Sequence, residues 1–198
     1  MRFFMLMLLL CVTTFSQAQE SDTQAQLTEM IFNDPASPRM GSDKPSLVIV
    51  NFTDYNCPYC KQFDPMLEKI VHDYPQVQLV IKLLPFRGES SMASARVALT
   101  TWRQQPAKFW ALHQRLMAKK GNHDDASILA AQQKTETADI KADAKSQDDV
   151  QMNLILSQVI GVQGTPATIV GDQMVAGAIG YDDLEALVKE QLAKADAS

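Results

Sequence analysis

Cysteine, histidine and clustered positive charge are all scarce in this sequence. Of 198 residues, three are cysteine and three are histidine. Lys and Arg number 18 against 23 Asp and Glu, a formal charge of −5. No basic run marks a groove for nucleic acid or an anionic membrane, so neither is expected as a partner. A disulfide-stapled small domain carries several cysteine pairs, which this chain does not have. His72, His113 and His123 lack metal-ligand spacing to one another or to other ligands, and read as surface or helix-face residues. No internal repeat or low-complexity tract is present. The apolar run Phe3 to Val12 falls short of the about 20 residues that span a bilayer.

What is present fits one domain, or one domain with an insertion, and a hydrophobic share of 46% is enough for a single core. Arg2, the short apolar run and the small residues of Ser16-Gln17-Ala18 form a secretory signal peptide with cleavage after Ala18. A lipoprotein signal wants a small residue before its cysteine, and Leu10 precedes Cys11. Cleavage removes Cys11 and leaves Cys57 and Cys60 in an exported compartment that favours thiol oxidation. A disulfide between them closes a tiny loop, and the entropic gain of a crosslink grows with loop length. As a structural staple the pair is nearly useless, so its purpose is chemical.

The pair lies in "NFTDYNCPYCKQFDP", Asn51 to Pro65. Leu47 to Phe52 is a continuous β-branched apolar run, the pattern of a strand buried on both faces. A helix follows with Phe63, Leu67, Ile70 and Tyr74 on one face; Pro58 suits its first turn, Pro65 lies within it and Pro75 ends it. Val77 to Phe86 reads as a second strand. Upstream, Gln19 to Lys44 is polar, with a short amphipathic helix through Leu27, Met30 and Ile31 and then a loop. Residues Glu89 to Gly161 hold no good strand. Met92, Ala95, Leu99 and Trp102 mark one helix, and Phe109, Leu112 and Leu116 a second. Ile128 to Gln133 suggest a third, and Ser146 with Asp149 the capping-box start of a fourth. The charged piece Lys134 to Lys145 reads as exposed. Ala167 to Gly177 is a hairpin turning at Gly171-Asp172, and Leu184, Leu187, Val188 and Leu192 line a last helix. Met66, Met92, Met117, Met152 and Met174 read mostly as core filler.

A β-α-β unit, a helical block and a β-β-α unit make an α/β thioredoxin fold: a central mixed sheet with an all-helical insertion. Together with Cys57-Pro58-Tyr59-Cys60, Pro65 and Thr165-Pro166, this order resembles the DsbA-like thiol-disulfide oxidoreductases over nearly the whole mature chain. "NFTDYNCPYCK", "LLPF" and "GVQGTPATIVGD" are similar to one branch, the bacterial suppressors of copper sensitivity. The organisation expected is a signal peptide at 1–18, an N-terminal segment with a short helix at 19–44, a thioredoxin-fold domain at 45–88 and 162–198, and an inserted helical domain at 89–161.

Cys57, at the N-terminus of a helix, is placed to be stabilised as an anion and is expected to be the exposed nucleophile. Cys60, one turn in, is the resolving thiol. Such motifs bring a cysteine from about 8.5 down to about 3.5–7.5, the low end being DsbA itself. Pro58-Tyr59 is the tuning dipeptide. It brings neither charge nor imidazole, so an oxidising potential milder than DsbA's is expected. The resemblance implies that Pro166 is a cis-proline facing the dithiol, with Thr165 touching substrate and Cys57. Two roles fit Asp54: proton transfer to Cys60, or a loop cap. The resemblance further implies a periplasmic enzyme that needs no cofactor. It implies cysteine-containing exported proteins as substrates, a membrane-bound thiol reductase as redox partner, and a link to copper tolerance. Oxidation, reduction and isomerisation all fit the sequence. A different class of function uses the same two thiolates, Cys57 and Cys60, to sequester Cu(I), a soft ion. The N-terminal segment is too short for a sustained heptad seam, so a monomer is expected.

Overall fold

A computed structural model describes residues 22–197. The expected signal peptide and Cys11 lie outside the described residues. The described residues fall into two units, 22–34 and 35–197. In the first, α1 (22–28) runs on into a π-helical turn, Glu29–Asn33, where Asn33 Nδ2 donates to Glu29 Oε1 at 2.9 Å.

The second unit is built on a five-stranded sheet in the order β1-β3-β2-β4-β5. Its strands are β1 (Arg39–Gly41), β2 (Leu47–Thr53), β3 (Val77–Leu83), β4 (Ala167–Val170) and β5 (Gln173–Ala176). The helices are α2 (Pro58–Asp73), α3 (Glu89–Gln104), α4 (Pro106–Ala118), α5 (Asp125–Lys134), α6 (Ala144–Val159) and α7 (Tyr181–Asp196). β2 is central, parallel to β3 from Leu47↔Val77 to Thr53↔Leu83 and antiparallel to β4 from Ile49↔Val170 to Phe52↔Ala167. Strands covered on both faces need apolar residues at successive positions, and β3 is buried throughout while β2 is buried everywhere but at Val48. One sheet face carries Leu47, Ile49, Leu79, Ile81 and Leu83. It shares a core with Phe63, Leu67 and Ile70 of α2, Leu184, Val188 and Leu192 of α7, and Phe109, Leu112 and Leu116 of α4. The helical block therefore packs onto the core that seats α2, and so onto the helix that carries the cysteines.

Several elements differ from expectation. β1 is a strand where a loop was expected, an edge pairing antiparallel to β3. Gly41 ends it at φ +98°, and a Cβ there would lie 2.3 Å from the Val77 carbonyl oxygen; only glycine permits that approach. β3 stops at Leu83 rather than Phe86: the Leu84 N–H still donates to the Thr53 carbonyl at 2.8 Å, and Pro85, which has no N–H to give, follows. Helix α6 is capped by Asp143, which accepts from the Ser146 N–H at 2.9 Å, so Ser146 is the third helical residue and not the cap. The segment Lys134–Lys145 is only partly exposed: Thr135, Thr137 and Ile140 are buried, and Gln132 Nε2 donates to the carbonyls of Thr137 and Ile140 at 2.8 Å each. Of the methionines, Met117 is buried and Met66 and Met92 pack on the core, while Met152 and Met174 are exposed.

Candidate active site

β2 delivers the chain to the site, and four residues decide what happens next. Thr53 ends the strand, Asp54-Tyr55-Asn56 form a turn closed by the Cys57 N–H on the Asp54 carbonyl at 3.0 Å, and Cys57 caps α2 with Pro58 as its first residue. All three turn side chains bind the helical insertion and the loop leading into it. The Asp54 carboxylate accepts from the N–H groups of Asn56 (2.8 Å), Phe86 (2.8 Å) and Arg87 (3.1 Å) and from the Ser91 hydroxyl (2.7 Å). Tyr55 Oη lies 2.9 Å from His113 Nδ1 on α4, and His113 Nε2 lies 2.9 Å from Asp64 Oδ1 on α2. Asn56 donates to Ser90 Oγ at 2.9 Å and accepts from the His123 N–H at 2.7 Å. One turn further on, Lys61 Nζ donates to the carbonyls of Lys119 at 2.5 Å and Gly121 at 2.7 Å. The site is clamped from the helical side over its whole entry.

Cys57 and Cys60 are both free thiols in contact with each other. Cys57 is not exposed as expected: it retains 3% of its surface and Cys60 retains 1%. The exposed residues are Pro58 and Tyr59 between them, Tyr59 at 64%. Thr165-Pro166, whose peptide bond is cis, lies against the pair, and the Thr165 carbonyl oxygen accepts from Cys57 Sγ at 3.2 Å while that thiol is protonated.

Electrostatics, not exposure, separates the two sulfurs. The Cys57 thiol is lowered to about 5, first because the Cys60 thiol donates to its sulfur. Burial opposes this. The backbone N–H of Cys60, the Thr165 side chain and the backbone N–H of Tyr59 reinforce it. These amides belong to the first turn of α2. They make no regular cap bond with the neutral thiol, but they favour the anion. The Cys60 thiol is pushed up, first by burial and then by its bond to Cys57; Thr53, Thr165 and the Asp54 amide act in the opposite sense. One sulfur is thus held as an anion and its neighbour as a thiol that donates to it, the arrangement required for thiol–disulfide exchange.

Asp54 meets Cys60 through its backbone, while its carboxylate is occupied by the loop and helix donors above. His113, on a face of α4, and His123 are buried at 0% and 5% rather than at the surface, whereas His72 is exposed. Tyr55, Asn56, Lys61 and His113 were not singled out as site residues in the sequence. Their partners lie 34 to 67 residues away, and no local spacing signals them. Two open grooves flank the pair. One, of about 430 Å³, is lined by Asn56, Pro58, Lys61, Met117, Lys119 and Lys120; the other, of about 320 Å³, runs along Val162–Ala167 to Met174. Among the described residues, no group of three or more His, Cys, Asp or Glu side chains is arranged to hold a metal ion.

The profile of the DSBA-like thioredoxin domain family matches residues 48–189. The fold is similar to that of a periplasmic thioredoxin-like protein from Salmonella enterica serovar Typhimurium, at 57% identity and a TM-score of 0.83 over 85% of this chain and 97% of that one. It is also similar to the catalytic domain of ScsC from Proteus mirabilis, at 53% identity and a TM-score of 0.84 over 85% and 96% of the two chains. Disulfide bond formation protein D of Bacillus subtilis is 25% identical over 170 residues, covering 78% of this chain and 77% of that protein.

Proposed function

The chain belongs to the DSBA-like thioredoxin domain family, and we propose that it exchanges disulfides with exported proteins in the periplasm, Cys57 attacking and Cys60 resolving. It is a thiol-disulfide oxidoreductase of the DsbA/ScsC type with a mixed central sheet and a helical insertion. Such enzymes need no cofactor. The observation that carries the finer reading is the asymmetric pair: a Cys57 sulfur lowered to about 5 against a buried Cys60 thiol, beneath the cis Thr165–Pro166 bond.

In this reading the substrate chain lies along Thr165 and Pro166, with Pro58 and Tyr59 presented to it. Asp54 acts as a clamp on the turn before Cys57. Periplasmic location is supported by the leader pattern of residues 1–18 and by the description of the Salmonella relative as periplasmic. A membrane-bound thiol reductase keeps the pair reduced, and the protein works as a monomer in copper tolerance. Equilibration with glutathione tests the reading directly. A Cys57 sulfur at about 5 lies between the thioredoxin and DsbA ends of the range. The potential expected is therefore between about −120 and −230 mV; a value on the thioredoxin side, below about −230 mV, rules this poise out. Alkylation of exported protein with and without the reductase tests the partner. A pair mostly oxidised in both cases removes the reductase from the scheme.

A second role is favoured by the contact of the two sulfurs. Two thiolates side by side suit Cu(I), so the reduced protein also takes up one Cu(I) between Cys57 and Cys60, in competition with exchange. Binding that survives Cys57→Ser combined with Cys60→Ser places the ion elsewhere.

A further inference from the structure

Thr53 is the last residue of β2, fully buried at 0%, and its hydroxyl oxygen has no hydrogen-bond partner. A buried hydroxyl without a partner is costly, so its persistence at this point in the fold asks for a reason. Strand alternation places Thr53 on the same sheet face as Ile49 and Asn51, the face that shares its core with α2. There the hydroxyl lies against the sulfur of Cys60 and favours its charged form. The neutral thiol is a weak acceptor and no regular bond is made; a thiolate is a strong one.

We propose that Thr53 is a further catalytic residue: its hydroxyl donates a hydrogen bond to Cys60 Sγ when negative charge develops there. The proposal rests on the exchange reaction above. When a substrate thiolate attacks Cys57 Sγ of the oxidised pair, the substrate–Cys57 bond forms, the Cys57–Cys60 bond breaks and the electron pair leaves on Cys60 Sγ. In the opposite direction Cys60 loses its proton to solvent and its thiolate attacks Cys57 Sγ of the mixed disulfide; the substrate sulfur departs with the electron pair. Charge sits on Cys60 Sγ at the crossing point in both directions, in a site where burial opposes it. A donor with no bond to give up in the ground state acts only on that charge, which is the condition for accelerating a step rather than merely binding.

The test compares wild type, Thr53→Val and Thr53→Ser. The probe for attack on the oxidised pair is dithiothreitol; the probe for resolution is a mixed disulfide of Cys57 with glutathione. A hydrogen bond to a charged group is worth roughly tenfold in rate. Thr53→Val is expected to slow both steps by about that factor, and Thr53→Ser to return to within about threefold of wild type. Valine keeps the shape and removes an unpartnered hydroxyl, so the urea midpoint of reduced Thr53→Val should match or exceed that of wild type. The absorbance titration of the Cys57 thiolate should not move. Thr53→Val reacting at the wild-type rate overturns the proposal, as does slowing that Thr53→Ser shares together with lost stability, the mark of a structural hydroxyl. Wild-type protein inert to dithiothreitol overturns the exchange reading itself.

Discussion

Replacing Cys57 by serine should reduce disulfide exchange to background, a loss of roughly a thousandfold or more, because no other sulfur takes its place. At pH 7 a thiol lowered to about 5 is almost wholly ionised, whereas an ordinary cysteine near 8.5 is ionised to a few per cent. Cys60 is pushed up from there by burial, so at pH 7 it supplies no competing thiolate. Cys60→Ser has the opposite signature. Cys57 still attacks, nothing resolves the product, and one substrate accumulates per protein as a mixed disulfide visible by mass. Exchange by Cys57→Ser within tenfold of wild type would remove Cys57 from the role of nucleophile. The attack rate of reduced wild type should rise as pH passes about 5 and then level off. Stability follows the same group. A lowered thiol stabilises the reduced fold fully above its unfolded value, about 8.5. That contribution shrinks below 8.5 and is lost as pH falls through about 5. The disulfide form has no thiolate, so the gap between reduced and oxidised midpoints should change most across that interval.

The strands that seat this chemistry were legible because β2 and β3 are buried on both faces, which forces mostly apolar runs from Leu47 and from Val77, interrupted only by Asn51 in the first and by Gln78 and Lys82 in the second before each strand ends. β1 was not, for the converse reason. Arg39-Met40-Gly41 is a three-residue edge with Arg39 and Met40 half-buried, and its pairing rests on backbone bonds to β3 rather than on a side-chain pattern. The dithiol and Thr165-Pro166 were found from motif and order. What they did not reveal is how closed the site is. Cys57 is buried to 3%, its sulfur meets the Thr165 carbonyl 108 residues downstream, and the turn before it has three side chains held from the helical side. Nor does sequence spacing disclose that Asp54 has its carboxylate filled by Phe86, Arg87, Asn56 and Ser91. An acidic residue three positions before a cysteine looks the same whether it moves protons or fastens a loop.

The largest stability loss is expected from His113→Leu. Tyr55, His113 and Asp64 are buried at 1%, 0% and 3%, and they form a line from the turn before Cys57, through α4, to α2. Burial, and then the charge of Asp64, keeps the Tyr55 phenol protonated. Its hydroxyl shares one hydrogen bond with Nδ1, and Nε2 on the other side of the ring faces the Asp64 carboxylate. The imidazole ring also stacks on Phe109 at 5.5 Å and meets Trp110 edge-on at 5.2 Å, so it is packed as well as bonded. Leucine fills much of that volume but strands a carboxylate and a hydroxyl together away from water. Breaking a buried pair from one side costs about 3–5 kcal/mol, which at an m-value of about 2 kcal/mol/M shifts the urea midpoint by roughly 2 M. Tyr55→Phe removes one donor and should cost only about 1 kcal/mol. Combining His113→Leu with Asp64→Leu and Tyr55→Phe should recover most of the loss, since an apolar replacement of the whole network leaves nothing unpaired. The Asp54 and Asn56 clamps are untouched by this triple change, so its exchange rate should stay within about threefold of wild type. A single His113→Leu variant that unfolds at the wild-type urea concentration would show that the line carries no stability. A stable triple variant that exchanges slowly would show that it positions Cys57.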